Sequence, residues 1–226
     1  MKSQQQGFTL IEIAIVLVII GLLLGGVLKG QELINNARVR NIINQQDGIK
    51  AAYFGFQDRY RGLPGDYPKT LAKQNIPGAA EIGCDPADAT CQNGKIDTLA
   101  ESIFAWYHLS KSGFITGSYD GVGTTPNVGN NPTNPFGGYT QLIFDDKYSD
   151  AATPIAVFNI KTGANIPASI LAEIDRKIDD GISDRGTYRS SDTWGTPDTT
   201  CTTGTAGSKT WNANADVKNC GGVNIL

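Results

Sequence analysis

Residues Phe8 to Leu28 form an unbroken run of 21 residues that carries one charge, the carboxylate of Glu12. At roughly 1.5 Å of rise per residue, such a helix spans the ~30 Å hydrocarbon core of a bilayer. The run exceeds an ordinary signal-peptide core, and no small-x-small cleavage site follows it. Before it stands a short polar stretch, Met1-Lys2-Ser3-Gln4-Gln5-Gln6-Gly7, in which Lys2 is the positive flank that holds this end on the cytoplasmic side. A plain single-pass anchor with an exported C-terminal bulk accounts for all of this except Glu12. A carboxylate inside hydrocarbon costs about 2.5–3.5 kcal/mol on insertion scales, so it needs either a route to the membrane edge or a partner. A cut between Gly7 and Phe8 supplies the partner: a new α-amine four residues ahead of Glu12 in the same chain, and equally a countercharge for Glu12 of a neighbouring chain.

The stretch Gly7-Phe8-Thr9-Leu10-Ile11-Glu12, followed by a continuous apolar helix, resembles the prepilin signature of type IV pilins and type II secretion pseudopilins. The resemblance implies that a membrane prepilin peptidase cuts after Gly7 and N-methylates Phe8. It also implies that Glu12 neutralises the Phe8 amine of an adjacent subunit during assembly. The residues before Gly7 resemble the short leader of type IVa pilins and pseudopilins. Removing that leader takes away Lys2 and moves the formal charge from −3 to −4. Many major type IVa pilins carry proline where this chain has Lys29. Its helix weakeners are Gly21, Gly25, Gly26 and Gly30, which permit local unwinding or close helix approach.

Past Lys29 the chain becomes amphipathic without stopping. Ile42, Ile49 and Phe56 recur every seven residues, and Tyr53 and Tyr60 fill the i+4 positions. The pattern predicts one helix from Phe8 to about Arg61, with Gly62 as C-cap and Pro64 and Pro68 forbidding continuation. Only its second half can be covered by the chain's own head; the first half needs lipid or sister subunits. The expected organisation is a leader at 1–7, a transmembrane and filament-core helix at 8–29, its amphipathic continuation at 30–61 and a globular head at 62–226.

Within the head, Leu99, Ile103, Trp106 and Tyr107 predict a helix face, opened by a Thr98/Glu101 capping box and closed at Gly113. Residues 62–97 and 120–138 read as turns and loop. Tyr139–Phe144 and Ala156–Ile160 read as paired strands, and Ile170, Ile174 and Ile178 mark a second short helix that ends by Gly181. Gly186–Ser190 suggests one more strand, and Trp194 and Trp211 read as anchors in the tail. The fold class is therefore α+β: a long N-terminal helical spine on a small antiparallel sheet, as in pilins. The four cysteines are even in number and follow an export-like N-terminus, so they read as two structural disulfides with the local pairing Cys84–Cys91 and Cys201–Cys220.

Composition restricts the chemistry. Net charge is −3 and pI about 5.1, without the basic footprint of a nucleic-acid binder. The one histidine, His108, argues against a His-based metal or catalytic cluster and reads as a packing or surface residue. No Ser/His/Asp set, P-loop or G-x-S-x-G is present, so the chain does not read as an enzyme. Asp85, Asp88, Asn93 and Asp97 faintly echo a calcium loop, although the EF-hand register fails. Some pseudopilins bind calcium in their heads. Asp175, Asp179 and Asp180 have a similar standing: the last two sit at a helix C-terminus, where the dipole disfavours anions, so a Lys or Arg partner, a metal or solvent must relieve them. No other cofactor is expected.

The expected function is a pilin-like filament subunit of a type IV pilus or type II secretion pseudopilus. It would sit in the bacterial inner membrane with its head in the periplasm, then enter a periplasmic or surface filament. Expected partners are the prepilin peptidase, sister or other pilin subunits, lipid before assembly, and an inner-membrane platform with its assembly ATPase. A membrane-anchored periplasmic binding protein or adhesin that never polymerises is the alternative. It tolerates Glu12→Leu; the filament subunit does not.

Overall fold

The computed structural model describes residues 9–191 and 200–226, and the chain divides into two compact units after Arg38. Among the described residues, four helices and six strands give an α+β architecture. Helix α1 runs from Leu10 to Tyr60 as one 51-residue element, and Gly21, Gly25, Gly26 and Gly30 do not interrupt it. In the first unit its apolar side chains are exposed: Leu10 is 92% and Leu22 73% accessible. Lys29 and Glu32 make a solvent-facing i,i+3 pair at 2.7 Å.

In the second unit α1 buries the stripe that the heptad spacing predicts, through Val39, Ile42, Ile49, Tyr53 and Phe56. Full burial of each large apolar side chain contributes roughly 1.5–3 kcal/mol. One cluster joins Ile49 and Phe56 to Trp106 and Leu109 of α3 (Leu99–Lys111) and to Leu142 and Ile160 of the sheet. A second joins Val39 and Ile42 to Leu171 and Ile174 of α4 (Ala168–Ile178), and to Tyr188 and Trp211. Gln46 is buried on the same stripe between these two sets, and neither of its amide atoms has a hydrogen-bond partner among the described residues.

Strands β1 (Gln141–Asp145), β2 (Val157–Lys161), β3 (Tyr188–Ser190) and β6 (Gly222–Ile225) form an antiparallel sheet in the order β1-β2-β6-β3. The β1–β2 register sets Asp145 opposite Val157, and Lys161 lies two positions beyond Asn159 on the same face. Asp145 there accepts from the Lys161 ammonium at 2.6 Å and from the Asn159 amide at 3.0 Å. With Lys161 only 2% exposed, this pair offsets the cost of burying its charge. Strands β4 (Thr202–Thr203) and β5 (Thr210–Trp211) make a separate two-stranded ribbon.

Both expected disulfides are present, Cys84–Cys91 and Cys201–Cys220. The Thr98/Glu101 capping box forms as the sequence predicts, and Gly113 follows α3 at φ 79°.

Some local expectations fail for identifiable reasons. The left-handed residue that ends α1 is Arg61, at φ 52°, not Gly62. Gly62 serves packing instead, because a Cβ there would stand 2.8 Å from the Tyr67 ring. Leu99 is 49% exposed although its spacing sets it on the stripe of Ile103 and Trp106, because it is the first residue of α3 and stands at the helix end. The stretch read as turns contains a short helix, α2 (Lys69–Asn75), led in by Pro68. Strand β6, missed in the tail, occupies the interior of the sheet. Trp211 is buried as expected, while Trp194 lies outside the described residues.

Candidate assembly site

Gly7 and Phe8 lie outside the described residues; the site begins at Thr9. Thr9 stands just before α1, and its Oγ1 accepts the Glu12 backbone N–H at 3.3 Å. In return Glu12 Oε2 accepts the Thr9 N–H and the Thr9 hydroxyl, each at 2.7 Å. This reciprocal arrangement is a capping box, which satisfies donors that a helix N-terminus otherwise leaves orphaned. The spacing Thr9-x-x-Glu12 signals it directly, yet a reading of Glu12 as a partner for an amine alone passes over Thr9. A carboxylate has about four acceptor positions, so Glu12 retains capacity for a further donor while it caps its own helix.

Downstream, the apolar run of α1 is exposed throughout and is long and apolar enough to cross a membrane. Leu33 and Ile34 extend the exposed apolar surface beyond Lys29. The helix N-terminus therefore combines an acid, positive helix-end dipoles and an uncovered apolar cylinder.

Residues 2–28 match the prokaryotic N-terminal methylation motif, the type IV pilin and pseudopilin signature. The match spans the Gly7–Phe8 junction, Glu12 and the apolar run. No curated protein and no solved structure matches the chain. The apolar helix and the signature together are compatible with membrane anchoring.

The expected head sites come out differently. Asp85 is paired with Lys69, and its Oδ1 accepts the Ala87 N–H at 3.1 Å. Asp97 accepts from the Asn93 side chain at 3.2 Å, and the carbonyl of Asp88 closes a turn with Cys91. Asp85, Asp88 and Asp97 do not converge on one point; among the described residues the convergent groups are Asp66/Cys84/Cys91 and Asp175/Asp179/Asp180. In the first group both sulfurs are tied up in the disulfide, and Asp66 accepts the backbone N–H groups of Gln92 and Gly94. Burial pushes the Asp66 carboxyl above its ordinary range.

In the second group, backbone and indole donors relieve the helix-end anions where a cation was one expected source. Asp175 accepts from Trp211 Nε1 at 2.6 Å and from Gly181 N at 3.1 Å. Asp179 accepts from Thr187 and Tyr188, and Asp180 from Ile182. Burial raises the Asp175 carboxyl to about 6.

His108 is fully buried and structural in its contacts. Its Nδ1 accepts the Gly65 N–H at 3.0 Å, which places the proton on Nε2, donating to the Ile82 carbonyl at 2.9 Å.

Proposed function

We propose that this chain is a structural, pilin-like subunit of a type IV pilus or type II secretion pseudopilus. The observation that carries the reading is the N-terminal helix: a matched methylation motif, apolar residues left uncovered by their own fold, and one acid at the helix start. The prepilin peptidase cuts between Gly7 and Phe8 and methylates the new Phe8 amine. Before assembly, lipid covers residues 8–29 and the head faces the periplasm. During assembly that apolar surface moves from lipid to sister helices, driven by the platform protein and its ATPase. The Phe8 amine of an arriving subunit pairs with Glu12 of its neighbour, and the spare acceptor capacity of Glu12 makes this possible without loss of its own cap. Two desolvated charges meet, so removing either one leaves the other unpaired at a cost of about 3–5 kcal/mol.

The test is Glu12→Leu expressed in place of the natural chain in its host. The expected result is normal membrane insertion with loss of sheared or cross-linkable filaments. Filaments of the variant at wild-type yield would overturn the role given to Glu12, and a natural chain that forms none would return the reading to a non-polymerising anchored binding protein.

A further inference from the structure

An open groove of about 780 Å³ lies at the C-terminal end of α1, within the ~300–1,000 Å³ range of small-ligand sites. Its residues come from the last turns of α1, the Gly62–Leu71 segment, Gln92, Gly94 and Phe158 of β2. Rings form part of its wall. Phe54 is 48% exposed and stands edge-on to Tyr53, which contacts Phe158 with centroids 5.7 Å apart. Beside the rings stand Gln57, Asp58 and Arg61, all exposed, with planar groups that donate and accept in fixed directions. Arg61 and Gln92 both line the groove, and they are two of the three described non-glycine residues with positive φ, at 52° and 58°. The wall at Gln92 is pre-formed: Asp66 holds the N–H groups of Gln92 and Gly94, and the Cys84–Cys91 bridge closes the chain just before it.

The lining selects among ligand classes. Among the described residues the one cation of the lining, Arg61, is ion-paired with Asp58 at 3.6 Å, and Asp66 adds a buried acid, which gives no basic track for a nucleic acid or an acidic polymer. No free strand edge is offered to an extended peptide, because β2 is paired on both sides by β1 and β6. A purely apolar ligand would strand Gln57, Asp58 and Gln92. A pyranose ring fits both halves: its C–H face packs on an exposed aromatic ring, and its hydroxyls each donate and accept.

We propose that this groove binds a neutral oligosaccharide, which gives the head a recognition function separate from its place in a filament. The experiment uses the full-length protein in a detergent without a sugar headgroup, applied to an array of neutral and acidic glycans. Retained neutral glycans are then titrated against Phe54→Ala, Gln57→Ala and a distant control, Val128→Ser.

Retention confined to neutral glycans is expected. Phe54→Ala should weaken it by about tenfold, the size of one lost aromatic contact, Gln57→Ala by about fivefold to tenfold, the size of one lost hydrogen bond, and the control should leave it unchanged. Asp58→Asn, at an exposed position, carries the test if Phe54→Ala alters the thermal melt. No retained neutral glycan, retention of acidic glycans alone, preferential binding of an unstructured peptide, or unchanged binding by the groove variants would overturn the proposal. None of these substitutions touches residues 8–38, so the outcome is independent of polymerisation.

Discussion

Protonation of His108 should destabilise the head in mild acid, and the structure sets the size of the effect. The ring is fully buried, stacked 6.0 Å from Phe56, with its two nitrogens committed to Gly65 and Ile82. An imidazolium there would lose the Gly65 bond and hold a charge away from water. Burial accordingly lowers its pKa from 6.5 to about 4. Between those values the unfolded chain binds a proton that the folded chain refuses, so the His108 contribution is complete above pH 6.5 and drains away as pH falls towards 4. At ~1.36 kcal/mol per pKa unit the full contribution is about 3 kcal/mol, of which about 2 kcal/mol is gone by pH 5. The assay is denaturant unfolding of the full-length protein in detergent, wild type against His108→Gln, at pH 7 and pH 5. The variant is less stable at pH 7, and the gap should narrow by about 2 kcal/mol at pH 5. Taking the difference between the two proteins cancels every carboxylate they share. Parallel pH curves would refute the reasoning.

Asp175 has the opposite sign. Its carboxyl is raised to about 6, so the stability it contributes is whole below its unfolded value of 3.8 and is lost as pH rises through 6. Asp175→Asn should therefore gain on wild type by up to about 3 kcal/mol between pH 4 and pH 7 in the same assay; a flat difference would count against a buried, ionisable Asp175. Gln46→Leu keeps the volume and removes two unpartnered amide atoms from the core stripe, so the melting temperature should rise, with a gain of roughly 1–3 kcal/mol. A lower melting temperature would show that the amide is satisfied in solution. Replacing Cys201 and Cys220 together by serine reopens a loop with a sequence separation of 19 and should cost about 3 kcal/mol in unfolding free energy. A cost near zero would place the constraint elsewhere in the tail.

What could be read in advance followed from periodicity and local chemistry. The heptad of Ile42, Ile49 and Phe56 announced the buried stripe, because helical spacing alone puts those side chains on one face. The Thr98/Glu101 cap and both disulfides were equally local. Features fixed by distant parts of the chain were not legible. Gly222–Ile225 offers one short alternation, Val223-Asn224-Ile225, too brief to announce a strand, and it becomes a central strand through its pairing with Asn159–Lys161 and Tyr188–Ser190. The Lys161–Asp145 pair depends on the β1–β2 register, which a list of charges does not reveal. Gly62 looked like a cap because glycine usually takes the left-handed position, but the Tyr67 ring needed the space and Arg61 took the turn. At the assembly site the apolar run and Glu12 were plain from the start. The Thr9 cap was written in the spacing but was obscured by the need to find Glu12 an ionic partner.

The proposed function has Glu12 meet a charged amine that processing creates, so the chemical state of the N-terminus is the decisive observable. Intact-mass and terminal-peptide spectrometry of the protein isolated from its own membranes reads that state directly. The account requires a chain that starts at N-methylated Phe8; a mature chain that still begins at Met1 would contradict it.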